Sequence, residues 1–313
     1  MGKNQFADQL SGLRVVDPVL TQLARGYTNA ESIADRIFPI VGNLTLESSV
    51  YMTFGKEAFR LYATERAIRG ASNRMTPGKP SSDKYVMTEH DLEYPIDYRE
   101  EEEANFPLQQ YATNLVVAGI MLRREKIVAD LTCNPDNYGA GNKLALAGDD
   151  CFSEPGSDPV GVVQDGDESL RSQIAKRANL IVIGASTLKS WKKHPMFLDR
   201  IKLTENKVVT LEIIKEVLEK EIVVGEMIYT DDDGTPHDIW GDMMWMGYQP
   251  AATGKERTMY EPSFGYTFRK KSKPVVDTYV TNGGKIQLIR NTDLFDVKIV
   301  GADAGYLVTN TNK

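Results

Sequence analysis

Cysteine is nearly missing from this 313-residue chain: only Cys133 and Cys151 occur. Two thiols cannot make a disulfide framework, and their scarcity points to a reducing compartment. Histidine is as sparse. His90, His194 and His237 are scattered, no His-x-x-x-His pair or Cys-x-x-Cys occurs, and a zinc site has almost no support. No stretch reaches 18 consecutive apolar residues, so no membrane-spanning helix is expected. The opening Met1–Asp8 carries one basic residue and no apolar core, unlike a secretory signal. Phe6 stands where a myristoylation pattern needs Ser or Thr. Basic residues are outnumbered, 37 Lys and Arg against 44 Asp and Glu, for a net charge of −7. That balance argues against a chain held to nucleic acid or acidic lipid by its overall charge. What remains is ordinary for a globular protein, 41% hydrophobic and 26% charged. The length allows two or three compact units, and the expectation is a soluble protein made in the cytoplasm.

The charge is unevenly spread. Residues 1–80 have a net charge of +3, residues 81–170 of −13 and residues 171–313 of +3. The contrast is sharpest between Lys56–Lys79, with six basic residues against two acidic, and Asp83–Glu103, with nine acidic against two basic. Two solvated faces of opposite sign would explain this. So would two stretches that meet, within one chain or between copies.

Residues 1–43 mix short helical signals with breakers. Asp17-Pro18 can start a helix through Ala24, and Asn29 can cap another through Arg36. Such pieces cannot bury a core alone and look like an arm lying on something else. Residues 44–62 are strand-like, a polar Arg- and Gly-bearing stretch runs from Thr64 to Lys79, and Lys84–Asp97 returns as a second strand. This predicts an extended hairpin, which leans on a neighbour because isolated two-stranded hairpins are only marginally stable. Pro107 opens a long helix to about Cys133, with Leu108, Tyr111, Leu115, Leu122, Val128 and Leu131 marking an apolar face. Glu100, Glu101, Glu102 and Glu103 precede it, where a helix dipole favours anions.

Residues 134–168 read as surface loops, and Asp167-Glu168-Ser169 as a helix start leading through Arg177. Leu180–Gly184 is typical of a buried strand, and Ser186–His194 and Thr210–Lys220 of helices. Ile222–Thr230, the turn at Asp231–Gly234 and Ile239–Tyr248 read as strand, turn, strand, and the chain closes with strands at Phe295–Val300 and Tyr306–Val308. The class is α+β with mixed sheets rather than repeating βαβ units.

Sites for chemistry fail on spacing. An EF-hand loop with Gly234 sixth would need acids where Tyr229 and Trp240 stand. Gly254-Lys255 lacks the earlier Gly of a phosphate loop, since Gln249 occupies that position. Gly184-Ala185-Ser186 lacks the spacing of a nucleophile elbow. The Trp240–Tyr248 cluster reads as a packed strand. No catalytic constellation, cofactor site or metal site is assigned.

The order of elements resembles the HK97-fold major capsid proteins of tailed bacteriophages. Asp17–Tyr27 and Ala34–Pro39 are similar to the N-terminal arm of one group of these proteins. Arg177–Gly184 with Leu188 and His194-Pro195 resembles the start of the axial domain. Asp238–Asp242, Pro262–Phe268 and Gly301–Leu307 look like its later strands and the return to the peripheral domain. The resemblance implies an α+β HK97-like capsid fold: an N-terminal arm (1–43), an extended β-hairpin loop (44–97), a peripheral domain (98–164) with a spine helix at about 107–133, an axial domain (165–270) and return strands (271–313). It implies a structural protein that assembles with itself as pentamers and hexamers into an icosahedral shell around double-stranded DNA, alongside a portal protein and, in places, a cement or decoration protein. The arm-like motif close behind Met1 favours a separate scaffolding protein and puts a maturation protease in doubt. The candidate contacts between copies are Arg60, Arg66, Arg69, Arg74 and Lys79 on the hairpin and Glu100, Glu101, Glu102 and Glu103 on the receiving side. An encapsulin-type compartment of the same fold, and a soluble enzyme of unknown type, stand as the alternatives.

Overall fold

The computed structural model describes residues 15–16, 32–53, 59, 61–62, 64–74, 81–104, 107–201, 209–250 and 263–313. The first half of the chain forms β1 (Val15–Val16), α1 (Ala34–Ile37), β2 (Ile40–Leu44), β3 (Ser48–Thr53), β4 (Ser81–Val86), β5 (Thr88–Asp97), α2 (Tyr98–Glu103), α3 (Leu108–Cys133) and β6 (Lys143–Ala145). Next come α4 (Pro159–Ile174), β7 (Leu180–Gly184), α5 (Ala185–Lys193), α6 (Pro195–Ile201), α7 (Leu211–Leu218), β8 (Glu221–Gly225), β9 (Ile228–Thr230) and β10 (Pro236–Asp238). The chain closes with β11 (Met243–Gly247), β12 (Gly265–Lys270), β13 (Val275–Thr281), β14 (Ile286–Ile299) and β15 (Gly305–Thr309).

Continuous apolar runs make the centre of a five-stranded sheet ordered β6-β15-β11-β7-β8. Every residue of β7 and β11 is buried, as their unbroken hydrophobicity predicts for strands covered on both faces. Pairing is antiparallel around β11 and parallel at the β15–β6 and β7–β8 seams. At the end of β7 two backbones nearly touch: a Cβ on Gly184 would lie 1.8 Å from the Gly241 carbonyl oxygen. Gly241 itself takes a left-handed φ of +54° that favours glycine.

The helix placed at Asp167 starts earlier. The α4 helix begins at Pro159, behind Asp158, whose side chain accepts the Gly161 N–H. Cap plus proline is the stronger start signal. Asp167 is mid-helix and buried, and accepts from Arg177, Lys220 and the Ala178 N–H at 2.8, 3.1 and 2.8 Å. Likewise Pro195 ends α5 and also opens α6. The Asp231–Gly234 segment is the expected hairpin turn between β9 and β10, with the Asp231 carboxylate accepting the Asp233 and Thr235 N–H groups.

The second sheet has six strands, and β14 organises it. This strand pairs with β13 and then β12 along one side, and with β5 along the other. The sequence reading assigns strand only to the end of β14 and none to β13. Their polar residues hide them: Asp277 is buried in the sheet and pairs with Arg290 at 2.8 Å.

Against this sheet lies α3, which starts behind Pro107 and ends at Cys133 as expected, about 39 Å at 1.5 Å per residue. Its buried face matches the predicted one in part: Val128 is buried and Leu108, Leu122 and Leu131 pack on the core, but Tyr111 and Leu115 do not. Ala112, Thr113, Val116, Val117, Ile120, Arg124, Glu125, Val128, Ala129 and Thr132 are buried, whereas Tyr111 is 47% and Leu115 40% exposed. Contact is too close for large side chains at the seam: a Cβ on Gly119 would lie 2.5 Å from the Leu92 side chain. Small and β-branched residues therefore line it, and two charged residues hide among them.

The predicted arm differs too. Ile33, Ala34, Ile37 and Phe38 are buried in the chain's own body, and β2 pairs in parallel with β12. Val15–Val16 pairs with β13 of the same chain. The helix starts at Asp17-Pro18 and Asn29 lie outside the described residues.

Candidate assembly surface

Two aromatic residues fix the root of the hairpin. In β3 and β4, paired antiparallel from Ser48↔Val86 to Thr53↔Ser81, side chains alternate between faces. Tyr51 and Tyr85 point inward and stack on Phe268 of β12, with ring centroids 5.2 and 4.7 Å apart. Their neighbours Val50 and Val86 point outward and are exposed. Burial, aided by the hydrogen bond to Asp83, pushes the Tyr51 hydroxyl pKa above its ordinary range. The predicted strand Lys84–Asp97 is in fact two. It breaks at Met87, whose N–H donates to the Glu47 carbonyl, while Asp296 of β14 accepts the Val86 N–H at 2.9 Å. Beyond this break the chain leaves the hairpin and joins the six-stranded sheet as β5.

Past the root, the described residues of the tip are mostly exposed. Arg66, Arg69 and Arg74 are exposed. Leu61 and Ile68 are 98% and 93% exposed. The tip closes locally, with Arg66 donating to the Gly70 carbonyl, the Gly70 N–H to Ala67 and the Asn73 amide to the Glu65 carbonyl. Arg69 sits at φ +68°, a left-handed conformation that costs a non-glycine residue energy. Arg60 and Lys79 lie outside the described residues.

The four glutamates form a helix of their own. Asp97 caps α2 by accepting the Arg99 N–H, and Glu100 reaches back to the Asp97 N–H, completing a capping box. Glu101 accepts from Gln109 in the first turn of α3. Glu100, Glu101, Glu102 and Glu103 are all exposed. Among the described residues, no ion pair joins them to Arg66, Arg69 or Arg74 of the same chain. Among the described residues, basic tip and acidic helix are thus both left without a partner of the opposite set in their own chain. Sequence reasoning named the charges but missed the bare apolar residues between them. The signal was present in the Val50/Tyr51 and Tyr85/Val86 alternation, which can bury only one side of a two-stranded ribbon.

The histidines have local roles. His90 stacks on Phe295 with centroids 4.3 Å apart, and His194 lies 3.2 Å from Ser157 and from the Glu154 carbonyl. Burial lowers the pKa of both. His237 pairs with Asp231 at 2.9 Å and helps hold that carboxyl below its usual range. Among the described residues, no group of three or more His, Cys, Asp or Glu stands ready to hold a metal ion, and no helix is long and apolar enough to cross a membrane.

No family model matches the chain. It is 51% identical over 306 residues to the major capsid protein of Burkholderia phage BcepMu, an alignment covering 97% of this chain and 99% of that protein. Its structure is similar to the crystal structure of a phage-related protein from Bordetella bronchiseptica, with a TM-score of 0.79 and 30% identity over 95% of this chain and 98% of the other. The capsid structure of cyanophage P-SCSP1u aligns with a TM-score of 0.58 at 9% identity, covering 88% of this chain and 86% of that one, a likeness of fold alone. Full-length identity of this order, on a mixed-sheet body with a projecting hairpin and a long helix, means that the chain belongs to the phage major capsid proteins, structural shell proteins of HK97-like fold.

Proposed function

We propose that the chain assembles with itself as pentamers and hexamers into an icosahedral shell around double-stranded DNA, and that the hairpin tip of one copy docks on the acidic segment of the next. The basic stretch Lys56–Lys79, with Arg60, Arg66, Arg69, Arg74 and Lys79, meets acidic residues within Asp83–Glu103, chiefly Glu100, Glu101, Glu102 and Glu103. A closed shell of one chain needs unlike patches that meet around rotation axes, each contact burying of the order of 1,000 Å² or more. One observation carries this reading: the tip exposes Leu61, Ile68 and three arginines that its own chain leaves uncovered. Opposite charge would set the register of the contact, and apolar burial would supply most of its stability.

In this reading residues 98–164 and 271–313 make the peripheral domain, with α3 as its spine, and residues 165–270 make the axial domain around the five- and sixfold axes. The protein works by assembly rather than turnover and is not an enzyme. Its partners beyond itself are a portal protein, a separate scaffolding protein, in places a cement or decoration protein, and DNA held without sequence recognition. Assembly takes place in the host cytoplasm. The encapsulin alternative is the weaker, because the 51% identical relative is a phage major capsid protein.

The test is the triple charge reversal Arg66→Glu, Arg69→Glu, Arg74→Glu. The expected result is a folded subunit that forms few or no shells by electron microscopy. Normal particles would contradict the docking.

A further inference from the structure

The Glu125 carboxylate is fully buried in the middle of α3 and accepts four hydrogen bonds. Oε2 takes the Ser32 hydroxyl at 2.8 Å and the Ala34 N–H at 3.0 Å. Oε1 takes the Ile33 N–H at 3.2 Å and the Trp240 indole N–H at 2.8 Å. A carboxylate offers about four acceptor sites, and all are used. Three of the four donors belong to one three-residue segment, more than 90 positions away in sequence. Beside it, Arg124, also buried, pairs with Asp35 at 3.0 Å, so two consecutive helix residues grip the same stretch of chain.

Burying two ionised side chains in a helix seam is expensive unless every lone pair and proton is satisfied. An apolar pair would hold α3 to the sheet more cheaply, so hydrophobic packing does not explain the choice. What a carboxylate adds is direction, because it fixes where the chain at Ser32–Ala34 sits and how the backbone faces. Earlier in the sequence, Val15–Val16 lies antiparallel on the edge strand β13 of the six-stranded sheet. An uncovered edge strand is a template for indiscriminate pairing, a hazard for a protein that must associate only in the correct way.

We propose that Glu125 is a positioning residue for assembly: it clasps Ser32–Ala34 and so favours the pairing of Val15–Val16 with the β13 edge. This goes beyond the hairpin docking and does not depend on it. The test compares full-length Glu125→Ala, Trp240→Phe and Ser32→Ala by site-resolved amide exchange on the free subunit and by particle yield. In Glu125→Ala, exchange at Ile33 and Ala34 rises about tenfold or more, as for loss of a local opening barrier. Core amides in β7 and β11 are unchanged, protection at Thr278 falls, and irregular aggregates replace shells. Trp240→Phe keeps the three bonds to the segment and leaves exchange at Ile33 and Ala34 near the wild-type rate. Ser32→Ala removes one bond at a partly exposed position, and raises that exchange a few-fold even if Glu125→Ala does not fold. Unchanged exchange at Ile33 and Ala34 in Glu125→Ala, or in Ser32→Ala where the former is insoluble, overturns the clasp. Raised exchange with a wild-type yield of regular particles overturns its role in assembly. The arginine reversal leaves these exchange rates alone, so the two proposals fail separately.

Discussion

The β7–β11 pair and the β3–β4 pair are both short antiparallel ribbons with apolar side chains, yet their chain treats them in opposite ways. Every side chain of β7 and β11 is buried by helices and strands of the same molecule. Among the described hairpin residues, Tyr51 and Tyr85 are buried and stack on Phe268, while Val50 and Val86 face outward and Leu61 and Ile68 at the tip are almost bare. In the proposed reading, the difference separates the part of the chain that folds for itself from the part that other copies complete.

The comparison breaks most violently in the self-sufficient ribbon. Trp245→Ala, at the centre of β11, is expected to cost about 4 kcal/mol through lost burial and a residual cavity, seen as a steep fall in soluble yield or denaturation midpoint. Gly184→Ala is expected to cost about 3 kcal/mol, because the added methyl has only the Gly241 backbone to meet. The same measurement on Leu61→Ser with Ile68→Ser should move subunit stability by less than about 0.5 kcal/mol per site, while particle yield falls sharply. A stability loss there as large as in β11 would erase the distinction.

Much of this division was legible in the sequence, for physical reasons that can be named. The unbroken runs of β7 and β11, the proline-headed α3 and the polar tip each carry a local signal strong enough to survive folding. Three things were not legible. The seam of α3 selects small residues and two charged ones, so its apolar pattern misdirects and puts Tyr111 and Leu115 inside. The strands β13 and β14 carry Asp277 and Arg290, and the burial of Asp277 makes sense only once the two pair. Residues 32–43 read as part of a loose arm because the groups that hold them, Glu125 and β12, lie far along the chain. Of the candidate contact, the charges were readable and the exposed apolar tip was not.

Smaller effects sharpen the contrast. If charge sets the register of the hairpin contact, raising NaCl from about 0.15 to about 1 M, where the screening length falls from about 8 to about 3 Å, should slow shell formation without changing subunit stability. Acid should act on the body instead. Burial lowers the pKa of His90 and His194 in the folded state, so the unfolded chain binds protons more readily. Their contribution is therefore complete above the ordinary value of 6.5 and is lost as pH falls below it. Melting temperature should drop between pH 6.5 and 5, and His90→Phe, which keeps the stacking on Phe295, should make that slope shallower.

The most direct test is a cryo-electron-microscopy map of the assembled particle, read at the hairpin tip. The account predicts Leu61 and Ile68 covered by an adjacent copy, with Arg66, Arg69 or Arg74 within ion-pair distance of its Glu100–Glu103 helix. A tip that folds back on its own body, or stands in solvent with those glutamates unpaired, would contradict it.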